Sequence, residues 1–491
     1  MSASASVSRR NFIQTSSLAA VVAGMGASFL AALRNASAST VISNDPVYHF
    51  LNRISWGVRE DDLARAHKLG ISEYLEEQLD PDSIKDKVKV SKLFSLDLGR
   101  LRDLKDSHQQ SYEALLLTMI ARAVHSKRQL LERMVEFWSD HFNIASEGLE
   151  RELIVFQRDT IRAHALGNFH DLLVSVAQSP AMLYYLDNYL NVKDAPQENY
   201  ARELMELHTL GVDGGYSEAD VKAVARAFTG WTVGENTFAF RSYDHDTDAK
   251  LVLGTTLAPG RGIEDGMDVL QMVSDHPSTA VYLGYKLCVR FVSDDPPQGL
   301  VDSTAAVWTQ TSGDIKSVLR HIFLSQEFAD STGEKLRRPL EHFITMLRAT
   351  GTEVRDFGYL QRVLEELGQV PYGWATPDGY PDVAESWINT GGLLERWNRA
   401  NLLAGHAWNK DKRVKSSIAK LVGKPHTVGE LVDNVALQVF GTGLPADARA
   451  TFVDFASDGA GENTAVTPEL LEEKLSSLFG LMLSSPLNQW R

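Results

Sequence analysis

Apolar residues recur at helical spacing along most of this chain, and the breaks between apolar runs fall at glycine, proline and serine. That rhythm predicts a helix over 60–69, with acids in its first turn and Gly70 as its stop. Another is expected from Ser72 to just before Pro81, and a long helical stretch from Tyr112 to about Asn143. Helices over 150–165, 169–178 and 181–190 follow, and Ser217-Glu218-Ala219-Asp220 approximates a capping box before a helix over 221–228. Helical spacing resumes over 264–291, 300–309, 315–328, 340–350 and 383–407, and again toward the C-terminal end. One interruption reads as β. Residues 237–243 alternate aromatic with polar side chains, residues 250–253 are short and partly β-branched, and the polar tract between them predicts a hairpin. The expected fold class is mainly α, a multi-helix globular protein with a small β-hairpin insertion.

The first forty residues break the pattern. Ser8-Arg9-Arg10-Asn11-Phe12-Ile13 is followed by an uncharged run over 16–33 and by Ala36-Ser37-Ala38, a small-x-small site for a signal peptidase. This resembles a twin-arginine signal peptide over 1–38. It predicts the twin-arginine translocase as a partner during export, a mature chain starting near Ser39, and a periplasmic or extracellular location. No other segment reaches membrane-spanning length without charges, so no stable membrane span is expected after cleavage. The remainder divides at the Pro/Gly-rich loop 371–381 into a helical core domain, 39–370, and a C-terminal helical sub-domain, 371–491. Cys288 is the single cysteine, so no internal disulfide can form, which suits a chain folded in a reducing compartment before export. A formal charge of -15 argues against nucleic acid as a partner.

The chemistry-bearing segment is Gln197-Glu198-Asn199-Tyr200-Ala201-Arg202-Glu203-Leu204-Met205-Glu206-Leu207-His208-Thr209-Leu210-Gly211. At about 100° per residue, Glu198, Arg202 and Glu206 form one stripe with Asn199 and Glu203 beside it, and His208 falls on the apolar side. The stripe is either a solvated ladder of ion pairs or the wall of a cleft in which carboxylates around a guanidinium bind a cation or a polar substrate. His208 reads as a hydrogen-bonded core residue. Phosphate-binding loops, nucleophile elbows and the H-E-x-x-H zinc motif are all missing, and the run from Asp244 lacks the glycine and glutamate of a calcium loop.

These residues resemble the hallmark of the mainly bacterial domain-of-unknown-function family 1800, N-E-N-x-x-R-E-x-x-E-L-x-T-L-G, with Gln197 in place of the first Asn. Further signatures follow the family's order. Glu132–Phe142 is similar to E-x-M-x-x-F-W-x-x-H-F, and Ala225–Trp231 to A-R-A-F-T-G-W. His245-Asp246 with Lys250 and Gly254 is similar to H-D-x-x-x-K-x-x-x-G, and Pro377-Asp378-Gly379-Tyr380-Pro381 to P-x-G-[WY]-P. The resemblance runs from Tyr48 to Arg491. It implies export, often beside a co-exported partner resembling alkaline phosphatases, but the family has no established activity to carry over.

Two function classes stay open. In the first, the chain is a metal-assisted hydrolase or other envelope enzyme. Glu198, Arg202 and Glu203 then act as catalytic residues, and His141, Glu206, His245 and Asp246 supply the nitrogen and oxygen donors that suit a divalent metal. In the second it is a non-catalytic envelope or polysaccharide-associated binding protein that works with the co-exported partner. The aromatic residues Tyr372, Trp374, Tyr380, Trp387 and Trp397 either stack on sugar rings or pack a junction between helical layers.

Overall fold

The computed structural model describes residues 41–405, 414–415 and 418–491, so the segment 1–38 that resembles a twin-arginine signal peptide lies outside the described residues. The chain groups into two compact units, each assembled from separated stretches. One holds the chain up to Tyr74 with Ala329–Val370 and Asp382–Arg491, and the other holds Leu75–Phe328 with Pro371–Pro381. The loop 371–381 belongs to the second unit, whereas the sequence-based division places it at the head of a C-terminal sub-domain.

Helices dominate both units, with three two-stranded antiparallel pairs among the described residues. Helix Glu60–Leu69 carries Glu60, Asp61 and Asp62 in its first turn and stops at Gly70 (φ 81°). Helix Glu218–Ala227 opens on the expected capping box, with the Ser217 hydroxyl accepting from the Asp220 amide and the Asp220 carboxylate accepting from the Ser217 amide. Among the described residues no helix is long and apolar enough to cross a membrane.

Two expectations change. The long stretch from Tyr112 to Asn143 is two helices, Ser107–His125 and Gln129–His141. Ser126 leaves the helical region (ψ 142°), its hydroxyl accepts from the Arg128 amide, and the Gln129 amide side chain donates to the carbonyls of Ala123 and Ser126. Polar side chains thus satisfy the backbone groups that continuing the helix would have paired. The β region is two hairpins. Strand β1 (Trp231–Gly234) pairs with β2 (Thr237–Phe240), and β3 (Lys250–Val252) pairs with β4 (Thr255–Leu257). Each turn has two central residues at positive φ, Glu235-Asn236 (48° and 70°) and Leu253-Gly254 (49° and 79°), as two-residue hairpins of right-handed twist require. The tract between 240 and 250 connects the hairpins; it is not the turn of one.

Where the first hairpin begins, Gly230 has φ 80° and donates its amide to the Asn191 carbonyl at 2.8 Å. A Cβ there would lie 2.5 Å from the Arg241 carbonyl oxygen. Gly230→Ala should therefore cost about 2–3 kcal/mol, read as a lowered denaturant midpoint. Gly299→Ala, where a Cβ meets nothing within 4 Å, should leave the midpoint unchanged or slightly raised.

Candidate functional site

Helix Gln129–His141 buries nearly all its residues, because Leu130, Met134, Phe137, Trp138 and His141 follow helical spacing. The Trp138 indole N–H donates to the Ala165 carbonyl at 3.0 Å, and at the helix end the His141 ring lies fully buried. His141 Nε2 is 3.1 Å from the His208 carbonyl oxygen, and Nδ1 is 3.1 Å from the Lys286 ammonium. One protonation state fits both bonds: Nε2–H donates to the carbonyl, and bare Nδ1 accepts from Lys286. Burial first, then Lys286 and His208, hold the His141 pKa well below its ordinary value, so the ring is neutral. The Lys286 ammonium also lies 5.4 Å from the centre of the Tyr282 ring.

The motif helix starts as α (Glu198–Glu203) and continues as a π-helix (Leu204–Thr209). The Leu210 amide reaches back five residues to the Met205 carbonyl at 2.9 Å, and the Thr209 hydroxyl donates to the Leu204 carbonyl at 2.6 Å. A π turn holds more residues than an α turn, so a stripe drawn at α spacing fails beyond Glu203. Glu198 and Arg202 form an exposed ladder: both Glu218 carboxylate oxygens accept from Arg202, at 2.7 and 2.9 Å, and Glu198 lies 3.4 Å away. This is the solvated arrangement the spacing allowed. Glu203 is half-buried, and its pKa is raised, first by burial and then by the charge of Glu206; Arg202 opposes this, and Asp378 adds the smallest contribution.

Asp378 arrives on the loop 371–381, which helix Gln129–His141 holds by its C-terminal end. The Asn143 side-chain amide donates to the carbonyls of Trp374 (2.9 Å) and Thr376 (2.7 Å), and the Ser146 amide donates to the Tyr372 carbonyl at 2.8 Å. Gly379 (φ 72°) sits so close that a Cβ would lie 2.0 Å from the Asp140 carbonyl oxygen, so no other residue fits. One Asp378 oxygen accepts from the Trp374 indole N–H at 2.9 Å and the Thr376 hydroxyl at 2.5 Å. The Tyr185 hydroxyl donates to the Ala375 carbonyl at 2.9 Å. Two phenols mark where the three carboxylates meet. Burial and the charges of Glu203 and Asp378 push Tyr185 up to about 12, and burial and the charges of Glu206 and Asp378 push Tyr282 up to about 12. This grouping of Glu203, Glu206 and Asp378 with Tyr185, Tyr282 and Lys286 is the candidate hollow.

Sequence reasoning singled out Glu203, Glu206 and His141 of this group. It quoted Asp378 only at the unspecified place of the P-x-G-[WY]-P signature, and nothing in the spacing points to Lys286, Tyr185 or Tyr282, which lie on other elements. His208 is fully buried, with burial and then Lys286 lowering its pKa to about 3, and neither ring nitrogen meets a hydrogen-bonding residue.

His245 and Asp246 stand in a different setting. The His245 ring is buried, with Nδ1 2.8 Å from the Thr229 carbonyl oxygen and Nε2 3.4 Å from Asp265. Asp246 accepts two hydrogen bonds from the Arg226 guanidinium, at 2.6 and 3.1 Å. Lys250, wholly buried, donates to Asp265 at 2.7 Å, and the other Asp265 oxygen lies 2.7 Å from Arg261. These residues lock the second hairpin to helices Glu218–Ala227 and Glu264–Asp275, and Gly254 supplies the positive φ of its turn. The set His141, Glu206, His245 and Asp246 is not gathered into one site. Among the described residues no three His, Cys, Asp or Glu side chains stand where they could hold a metal ion. Of the five aromatic residues, Trp374 and Tyr380 pair on the loop with ring centres 4.8 Å apart, whereas Trp397 is buried with its indole N–H on the Ser484 carbonyl.

Removing the Lys250 charge strands buried Asp265 beside only one close cation. Lys250→Met should therefore cost about 3–5 kcal/mol, measured by chemical denaturation. It should leave untouched any ligand binding in the hollow.

Among known proteins, the family model described as "Protein of unknown function (DUF1800)" matches residues 49–490. No curated protein and no solved structure matches the chain.

Proposed function

Since the chain belongs to the domain-of-unknown-function family 1800, which brings no reaction with it, we propose from its own geometry that it is an exported envelope hydrolase working by acid–base catalysis. The observation that carries this reading is Glu203, a half-buried carboxyl whose pKa is raised by burial and by the charges of Glu206 and Asp378, against the opposing charge of Arg202. Such a group keeps its proton to higher pH than a free glutamate and can deliver it to a leaving group. Glu206 is the partner that takes a proton from the attacking water. Tyr282, pushed up to about 12, stays protonated and offers an O–H donor to substrate oxygens, while Tyr185 keeps its hydrogen on the Ala375 carbonyl and offers its oxygen as an acceptor. Neutral His141 holds the Lys286 ammonium at 3.1 Å, so the hollow carries a cation fixed in place for a developing negative charge.

Export rests on the Arg9-Arg10 segment and would place the reaction in the periplasm or outside the cell, with the twin-arginine translocase as the partner in transit. A second reading draws on the exposed Glu198, Arg202 and Glu218 face: a non-catalytic envelope protein docking through it on a co-exported, alkaline-phosphatase-like partner.

Two measurements decide between them. Soluble fragments released from isolated cell envelope in heavy-oxygen water should carry the label, and Glu203→Gln should cut their release at least about a hundredfold, while Arg202→Ala leaves it near wild type. Loss of partner capture in Arg202→Ala, with no label released by the wild type, would favour the second reading. The pH dependence has a fixed sign. The folded protein binds the Glu203 proton more tightly than the unfolded chain, so this group's contribution is full below the unfolded value of about 4.3 and is lost as pH rises through the higher folded value. The melting temperature of Glu203→Gln should therefore gain on the wild type as pH rises through that window and then level off. A difference that stays flat, or moves the other way, ends the case for Glu203 as the acid.

A further inference from the structure

We propose that the hollow takes an uncharged glycan, with the Trp374–Tyr380 ring pair as the platform for one sugar and the glycosidic bond placed at Glu203; this rests on the acid–base reading above. Three features on three different elements converge on it.

The first is charge. Glu203, Glu206 and Asp378 influence one another or the same phenols, and Lys286 is the cation among them, since His141 is neutral. Arg202 is drawn off by Glu218 and Glu198. With Glu203 protonated as the acid, the carboxylates of Glu206 and Asp378 still outnumber Lys286, and phosphoesters and uronic acids would be repelled. A cationic ligand would be drawn by the carboxylates, but the aromatic face that would cradle it is already served by Lys286 over Tyr282 at 5.4 Å.

The second is the platform. Trp374 and Tyr380 lie with ring centres 4.8 Å apart and planes inclined by 50°, both only partly buried. The Trp374 ring is not free to turn, because its N–H is spent on Asp378 at 2.9 Å and its carbonyl holds Asn143 at 2.9 Å. A ring fixed before the ligand arrives forfeits little entropy on binding. Sugar rings present C–H faces that pack on such rings, while their hydroxyls need acceptors at the edge.

The third is that those acceptors are there. A carboxylate offers about four acceptor positions, and the Asp378 side chain is held at the edge of the Trp374 ring with Trp374 and Thr376 both on one of its oxygens. Tyr185 hangs from the same loop through the Ala375 carbonyl. The loop therefore carries stacking surface and hydroxyl-binding groups as one piece, docked against the helix that ends at His141.

The step balances with water as the second reactant. The water oxygen forms a bond to the anomeric carbon as the bond from that carbon to the glycosidic oxygen breaks. The Glu203 proton goes to the departing oxygen and a water proton goes to Glu206. No oxidant or reductant is involved.

An array of uncharged, anionic and amine-bearing oligosaccharides, probed with the folded Glu203→Gln protein, tests the substrate class directly. Uncharged members should bind, with little change between about 50 and 200 mM salt. Tyr380→Ala should weaken that binding by at least about tenfold, and Trp374→Phe, which keeps a flat ring but loses the bond that fixes it to Asp378, should weaken it less. Melting curves for both variants confirm that they fold. Preferential binding of anionic or amine-bearing members, no uncharged member bound, or binding indifferent to Tyr380→Ala overturns the proposal. The two layers separate cleanly. Labelled fragments that depend on Glu203 but contain no sugar would overturn the glycan and keep the acid. Uncharged glycans bound by the ring pair but left intact by the wild type would overturn the acid and keep the platform.

Discussion

Asp265 lies at the bottom of the hairpin region with Lys250 on one oxygen, Arg261 on the other and the His245 ring beside it. Burying a carboxylate is costly unless opposite charge lies against it, and here the chain brings in that charge from two stretches of sequence. Arg226 and Asp246 repeat the arrangement nearer the surface. The whole cluster alternates in sign, so it needs no ligand to complete it. Glu203 breaks this rule. Its burial is compounded by two like charges, and Arg202, which opposes them, is shared with Glu218. The difference between these two places separates a fastening from a proposed site, and Arg226, His245, Asp246 and Lys250 of the one and Glu203 of the other lie in the family's motifs.

The site itself is held by a backbone contact. Gly379 lets the loop 371–381 come against the Asp140 carbonyl where a single added carbon could not stand. Asn143 then fixes two of the loop's carbonyls from the helix side. Asp378, the ring pair and the Ala375 carbonyl are carried to the hollow together. Helix Gln129–His141 contributes twice over, through the loop it anchors and through the neutral ring that steadies Lys286. Two π-helical stretches, Phe156–Ile161 and Leu204–Thr209, lie in this same unit, and the second changes the facing of Glu206 relative to an α continuation.

Much of the helical architecture is legible in the chain because apolar spacing and caps are local signals. Gly70 as a stop and Ser217-Asp220 as a start both act within one turn of the residues they govern. The break at Ser126 was not legible, since the apolar rhythm runs straight through it and only the side-chain bonds of Gln129 decide against continuation. The hairpins were half legible: Leu253-Gly254 carries a turn signal, but Glu235-Asn236 is an unusual pair for two positive φ values. In the site, the motif gave Glu203 and Glu206, yet assumed α spacing where the backbone is π. His245 and Asp246 carried the residue types of a metal site, and only their partners, Asp265 and Arg226, which lie 20 residues away in each case, reveal the lock. Long-range pairing of this kind leaves no mark on local pattern.

The interleaved order of the two units has a consequence for how the chain comes into being. The second unit cannot be finished until residue 381 has been made, because its loop is delivered after the intervening Ala329–Val370 stretch has gone to the first unit. The first, in turn, begins before Tyr74 and waits for its last helices near Arg491. A nascent polypeptide of this design offers the ribosome exit no early, self-sufficient half to set aside. Each unit is thus closed by a late stretch of chain, so packing of either waits on residues made long after its first helices.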